Sequence, residues 1–186
     1  MSILSDSAIL AAIRSGDIEI TPFDPLSLGP NSYDVHLSPH MMTYLDREIL
    51  DCRVKPVVYE YTIRQSGYVL YPGRLYLAST VEKTATKKHV PYLDGKSSIG
   101  RLGIFTHITA GRGDIGFSGH WTLELVVVQP VKIYAGMPIG QITFHTVEGE
   151  VMHPYDSVGH EGQYTDAAAS PRPQPSRMWR NRFFKS

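Results

Sequence analysis

Hydrophobic positions along this chain fall into short runs, most of them alternating with polar residues, and glycine or proline interrupts them about every ten residues. Alternating or β-branched runs predict strands over Ser32–Leu37, Gly67–Tyr71, Leu75–Val81, His107–Ala110, Trp121–Val128, Val131–Tyr134 and Gly140–His145. One stretch carries helical spacing. Over Asp6–Ser15, Ile9, Leu10 and Ile13 share a face, Ser5 can cap the start, and Gly16 can end it. Many short strands and one N-terminal helix predict a mostly-β barrel or sandwich rather than parallel βαβ units.

Composition bounds that picture to one ordinary domain with a tail. The chain has 186 residues, 42% hydrophobic and 19% charged, enough to bury a core. Its 18 basic and 18 acidic side chains cancel, which argues against a surface built wholly to grip nucleic acid. The single cysteine, Cys52, cannot form an intramolecular disulfide. No apolar run approaches the roughly 20 residues of a membrane helix, and the first residues lack a signal-peptide pattern, so a cytoplasmic protein is expected. Charge is unevenly placed. Ala168–Ser186 holds five basic and no acidic residues, which leaves 13 basic against 18 acidic in the body, a net of minus five. Pro171, Pro173 and Pro175 deny that stretch regular structure. The expected organisation is a domain over 1–162 and a basic, proline-rich arm over 163–186, either a disordered tail or a lid.

Several chemistries are excluded by what is missing. With one cysteine there is no Cys-x-x-Cys, and the eight histidines form neither His-x-Glu nor His-Glu-x-x-His, so no zinc site is expected. Phosphate-cradling Walker and dinucleotide fingerprints are absent as well. One block is rich in the right donors: Gly95-Lys-Ser-Ser-Ile-Gly-Arg-Leu-Gly103 offers Lys96, Ser97, Ser98 and Arg101 around flexible glycines. It reads either as a capped surface turn or, if Ser97 or Ser98 caps a helical turn, as an anion site. In the strand Trp121–Val128, Glu124 shares a face with Thr122 and Val126, while Leu123, Leu125 and Val127 take the other. That glutamate is either a solvent-facing residue or a carboxylate held among apolar neighbours for proton transfer.

Taken together, these segments resemble the dCTP deaminase family, relatives of the trimeric dUTPases. The likeness runs from Ile3-Leu-Ser-Asp6 through Asn31-Ser-Tyr-Asp34 and Gly95-Lys-Ser-Ser-Ile-Gly-Arg101. It continues with His107-x-Thr-Ala110, Asp114-x-Gly-Phe-Ser-Gly119, Thr122-Leu-Glu-Leu125 and Gly136-Met-x-Ile-Gly-Gln141, covering Met1 to about Tyr155. The resemblance implies a distorted, dUTPase-like β-barrel of the β-clip type, assembled as a homotrimer with active sites shared between subunits. It implies zinc-independent hydrolysis of dCTP to dUTP and ammonia, with Glu124 as the general base and acid. Arg101 would orient Glu124, and Ser97 with the backbone at Ala110 would hold the attacking water. Lys96, Ser97, Ser98 and Arg101 would meet the phosphates, with Ile99 and Gly100 in the same loop and Arg112 near the nucleotide. Asp114 would take the 3′-hydroxyl, Phe117 would pack under the deoxyribose, and Thr122 and Leu123 would border the base. Tyr155 and Gln163 would reach the phosphate end, and Mg²⁺ would arrive on the triphosphate. No membrane or nucleic-acid partner is implied.

Three positions depart from the family pattern. Gln163 stands where a lysine is usual, which predicts that Arg172 or Arg177 supplies the missing charge from the arm. Ile115 replaces a proline or small residue, and Gly100 an alanine. Since Asp114 and Glu124 are both present, a bifunctional enzyme that continues to dUMP is the alternative function. A pure dUTP diphosphatase comes next, and a non-catalytic nucleotide- or nucleic-acid-binding module is the remote alternative.

Overall fold

The structure, a computed structural model, describes residues 2–45, 49–155, 157, 164 and 170–184. Local sequence signals set the one long helix, α1 (Asp6–Arg14). Ser5 caps it by accepting from the Ala8 amide at 3.4 Å, and Ile9 and Ala12 are buried beneath it. Gly16 stops it with φ +73°, a conformation that costs glycine nothing.

Among the described residues ten strands follow: β1 (Ile18–Thr21), β2 (Tyr33–Tyr44), β3 (Val58–Thr62), β4 (Tyr68–Leu70), β5 (Tyr76–Thr86), β6 (His89–Gly95), β7 (Ile104–Phe105), β8 (Ser118–Val127), β9 (Val131–Ile133) and β10 (Pro138–Thr146). A short helical turn, α2 (Ser97–Gly100), separates β6 from β7. All pairings are antiparallel. The main sheet runs β6-β10-β2-β5-β8-β7, with β1 added to β5 and β3 to β2, and β4 pairs with β9 apart from it. The sheet wraps one core built from Tyr33, Leu37, Tyr76, Leu123, Leu125, Ile142 and Phe144 among others. The mostly-β, barrel-like architecture is the one the sequence predicts.

Strand β5 holds the centre. On its core side Tyr76 and Ala78 face Leu125 and Leu123 of β8, while Leu77 and Ser79 lie opposite Glu124 and Thr122. Residues 76–80 are buried on both faces, so something covers the second face as well; that cover is the C-terminal arm. Both neighbours of β5 slip register here, between Leu37 and Met41 on β2 and between Ser79 and Lys83 on β8's side. The bulge carries Glu82 inward at 3% exposure. A buried carboxylate needs partners. His36 provides both, its backbone amide donating at 2.8 Å and its ring Nδ1 lying 2.6 Å away.

Two expectations fail. The segment predicted as a strand over His107–Ala110 is irregular, and the Ile108 amide turns to the Glu124 side chain instead of a neighbouring strand. Ser97 and Ser98 do not cap α2; Lys96 holds the cap position, with no side-chain capping bond. The boundary between domain and arm near residue 162 lies outside the described residues, as does Gln163. Among the described residues no helix is long and apolar enough to cross a membrane.

Candidate active site

Strand β8 alternates strictly, with Trp121, Leu123, Leu125 and Val127 inward and His120, Thr122, Glu124 and Val126 outward. Glu124 therefore emerges on the face that β5 shares, beside Leu77. It lines a cleft of about 540 Å³ together with Ala110, Arg112, Asp114, Phe117, Thr122 and Tyr155. One carboxylate oxygen, Oε2, accepts from the Ile108 amide at 3.0 Å. The Glu124 amide in turn donates to the Thr106 carbonyl at 2.9 Å. Loop 106–110 thus fixes the side chain, while Oε1 takes no hydrogen bond among the described residues. A carboxylate clamped through one oxygen and open at the other has the geometry of a positioned base.

The floor of the cleft is aromatic. Phe117 packs edge-on against Trp121 and Tyr155, with ring centroids 6.0 and 5.5 Å apart. Gly116 makes this possible: with φ +95° it passes so close to Tyr155 that a Cβ would sit 2.8 Å from that residue's carbonyl oxygen. Tyr155 is tied there by its amide, 2.7 Å from the Ile115 carbonyl. The Ile115 side chain is buried, so this departure from the family pattern serves packing.

The second group of expected residues sits elsewhere. Lys96, Ser97 and Gly100 line a separate cleft of about 530 Å³ with His107, and the two clefts share Ile108 and Thr109 as a common wall. Ser98 and Arg101 are exposed and line neither. Within one chain, then, Glu124 and Ala110 are brought together while Ser97 and Arg101 are not. Lys96 is already engaged by the Asp34 carboxylate, which Gln141 also holds at 3.2 Å. Leu123 is fully buried in the core and the Ile99 side chain is buried too, so each would meet a nucleotide through its backbone. Among the described residues no three His, Cys, Asp or Glu side chains gather as a metal site would need.

Tyr44, Leu75, Leu77, His120, Trp121, Tyr164, Gln174 and Ser176 also line the Glu124 cleft, and none was anticipated as a site residue. Register would have found Leu77, which lies opposite Glu124 across β5 and β8. The arm residues have no comparable signal. Of the two candidate arginines, Arg172 pairs with Glu60 at 2.9 Å, away from the cleft. Arg177 lies 5.5 Å over the ring of Tyr164, which does line it.

His107 is half-buried with both ring nitrogens out of contact with solvent, and among the described residues neither has a partner. Burial pushes its pKa below the usual 6.5, against the weaker opposing pull of Glu124 and Asp94. The unfolded chain therefore binds more protons than the folded one as pH falls through about 6.5 and below. Thermal stability is expected to decline over that window, and His107→Gln should flatten the decline when melting is followed against pH.

A model of the dCTP deaminase-like family matches residues 3–147. The chain belongs to that family. Relatives agree with this membership. Over 179 residues it is 44% identical to the protein named "dCTP deaminase, dUMP-forming" of Clostridium beijerinckii, covering 96% of this chain and 98% of that protein. Over 134 residues it is 50% identical to the protein of the same name from Hathewaya histolytica, covering 72% and 77%. The crystal structure of 2′-deoxycytidine 5′-triphosphate deaminase from Agrobacterium tumefaciens is similar with a TM-score of 0.62 at 23% identity, a likeness of fold. It covers 80% of this chain and 49% of that one, so this dCTP deaminase-like chain spans about half the other's length.

Proposed function

We propose that the protein converts dCTP to dUMP in two hydrolytic steps in the cytoplasm, releasing first ammonia and then pyrophosphate. What carries this reading is that Asp114 and Glu124 open on one cleft in a chain whose near-full-length relative is named dUMP-forming. The end product is thus the alternative of the sequence reading rather than dUTP.

In the first step water attacks C4 of the cytosine. Glu124 takes the water's proton and returns it to the ring nitrogen; the amine leaves as ammonia when a second proton reaches it by the same carboxylate. The balance is dCTP plus water giving dUTP plus ammonia. In the second step another water attacks the α-phosphorus, the acidic pair accepts its proton, and pyrophosphate departs with the Mg²⁺ that came on the triphosphate. Phe117 lies under the sugar and selects deoxyribose, with Asp114 on the 3′-hydroxyl.

The site is completed by a second copy of the chain. Its Ser97–Arg101 loop meets the phosphates and orients Glu124, and a homotrimer closes three such sites. Two observations support assembly: the loop's donors are stranded outside their own chain's cleft, and exposed apolar residues adjoin it, with Phe105 57% and Val128 66% exposed. The domain over 1–162 carries the cleft, and the arm acts as its lid.

The test is to incubate the protein with dCTP, dUTP or dCMP and Mg²⁺, with and without a zinc chelator, following nucleotides and ammonia. Ammonia and dUMP from dCTP, undiminished by the chelator, are expected. Accumulation of dUTP without dUMP would return the reading to simple deamination, and dUMP from dUTP without any ammonia from dCTP would leave a diphosphatase.

A further inference from the structure

The arm's path across the sheet shows how it is held. Ser38 and Ser79 are both fully buried, on neighbouring strands β2 and β5, and both hydroxyls donate to one acceptor, the Pro171 carbonyl, Ser38 at 2.6 Å. Ser79 lies directly opposite Thr122 of β8, and Thr122 Oγ1 accepts from the Gln174 amide at 3.0 Å. The three hydroxyls form a row across β2, β5 and β8. The arm continues over the cleft, where the Tyr44 hydroxyl accepts the Ser176 amide at 2.9 Å and the Tyr164 hydroxyl the Arg177 amide at 3.2 Å. Pro173, between the first two stations, is buried.

From this geometry we infer that Ser38 and Ser79 are positioning residues: together they are the fixed anchor from which the arm closes over the nucleotide cleft. The inference rests on the arm being a lid, as proposed above. Neither serine lines the cleft; each acts through the arm. A sheet face has no backbone groups to spare for a crossing chain, since its own ladder uses them. Side-chain hydroxyls must supply the contacts, and two converge where the crossing begins.

Shared acceptance gives the pair a signature. With either serine replaced by alanine, the half-buried Pro171 carbonyl keeps one of these donors; with both replaced it keeps neither, and an unmade bond costs more than a made one gains. Single variants Ser38→Ala and Ser79→Ala are expected to raise KM for dCTP about twofold, and the double variant tenfold or more, with kcat little changed, a departure from additivity. A second readout needs no substrate. Tryptic cleavage after Arg177 should be several-fold faster in the double variant, while the melting temperature of the assembled protein stays close to that of the parent.

The two proposals fail separately. If the parent protein releases no ammonia from dCTP, the functional reading falls, yet the cleavage rates still report on the anchor. Arm cleavage unchanged in the double variant overturns the anchor. So do KM effects that multiply as independent sites would, or faster cleavage with KM unmoved.

Discussion

Glu124→Gln is expected to abolish ammonia release from dCTP, by a thousandfold or more in kcat, while leaving nucleotide binding within a few-fold of the parent. The substitution keeps the shape of the side chain and an oxygen for the Ile108 amide to bind. What it removes is the ability to accept a proton from water and give it back. Asp114, the other carboxylate on the cleft, is held by no loop amide among the described residues and is assigned to the 3′-hydroxyl, so it is not expected to take over the proton transfer at C4. Calorimetric titration with dCTP reads binding and ammonia assay reads turnover. Strong residual turnover in this variant would remove Glu124 from the mechanism, and with it the central role given to the cleft.

A mixture of two dead proteins should recover activity. In one chain Glu124 and Arg101 face different surroundings, so a site formed between copies takes its glutamate from one and its loop from another. Unfolding and refolding equal amounts of Glu124→Gln and Arg101→Ala chains together should give about one quarter of the parent rate, since half the chains supply the glutamate and half the loop. Each variant refolded alone should remain inactive. If the mixture is as inactive as its components, both groups must serve the same chain's site, and the shared arrangement is wrong.

Much of this was legible in the sequence where the signals are local. Helix α1 begins at a capping serine and ends at a glycine of positive φ, both readable from single residues. The outward position of Glu124 follows from two-residue alternation. Strands β1, β3, β6 and β7 escaped notice, β3 and β6 for readable physical reasons. β3 is an edge whose residues are mostly exposed, with no buried face to pattern it. β6 contains Pro91, which demotes a strand in the middle of a sheet but is tolerated at the edge where β6 lies. The segment 107–110 misled in the opposite way, its β-branched Ile108 and Thr109 suggesting a strand where the backbone is spent on a carboxylate.

The site divides similarly. Glu124, Asp114, Phe117, Thr122 and Tyr155 share a cleft because they sit on β8 or the loops packed against it. The Ser97–Arg101 loop was placed by family likeness, and its lining of a different cleft from Glu124 within one chain depends on long-range folding that no linear pattern encodes. The arm's docking was hidden too. Its charges suggested an electrostatic role, whereas its backbone groups meet hydroxyls far off in the sequence, Ser79 lying 92 positions from Pro171 and Ser38 133.

The spacing of the prolines in that arm has a protective consequence. Pro171, Pro173 and Pro175 alternate with residues 172, 174 and 176, so one edge of the extended segment has no N–H to give. The donors that remain on the other edge, Gln174 and Ser176, are those the hydroxyls receive. When the segment lifts away, it can pair with a neighbouring strand along that one edge only, because a ladder on the other needs the donors that proline has silenced. Growth of stacked strands, which needs both edges of each segment, is thereby stopped at a single pairing.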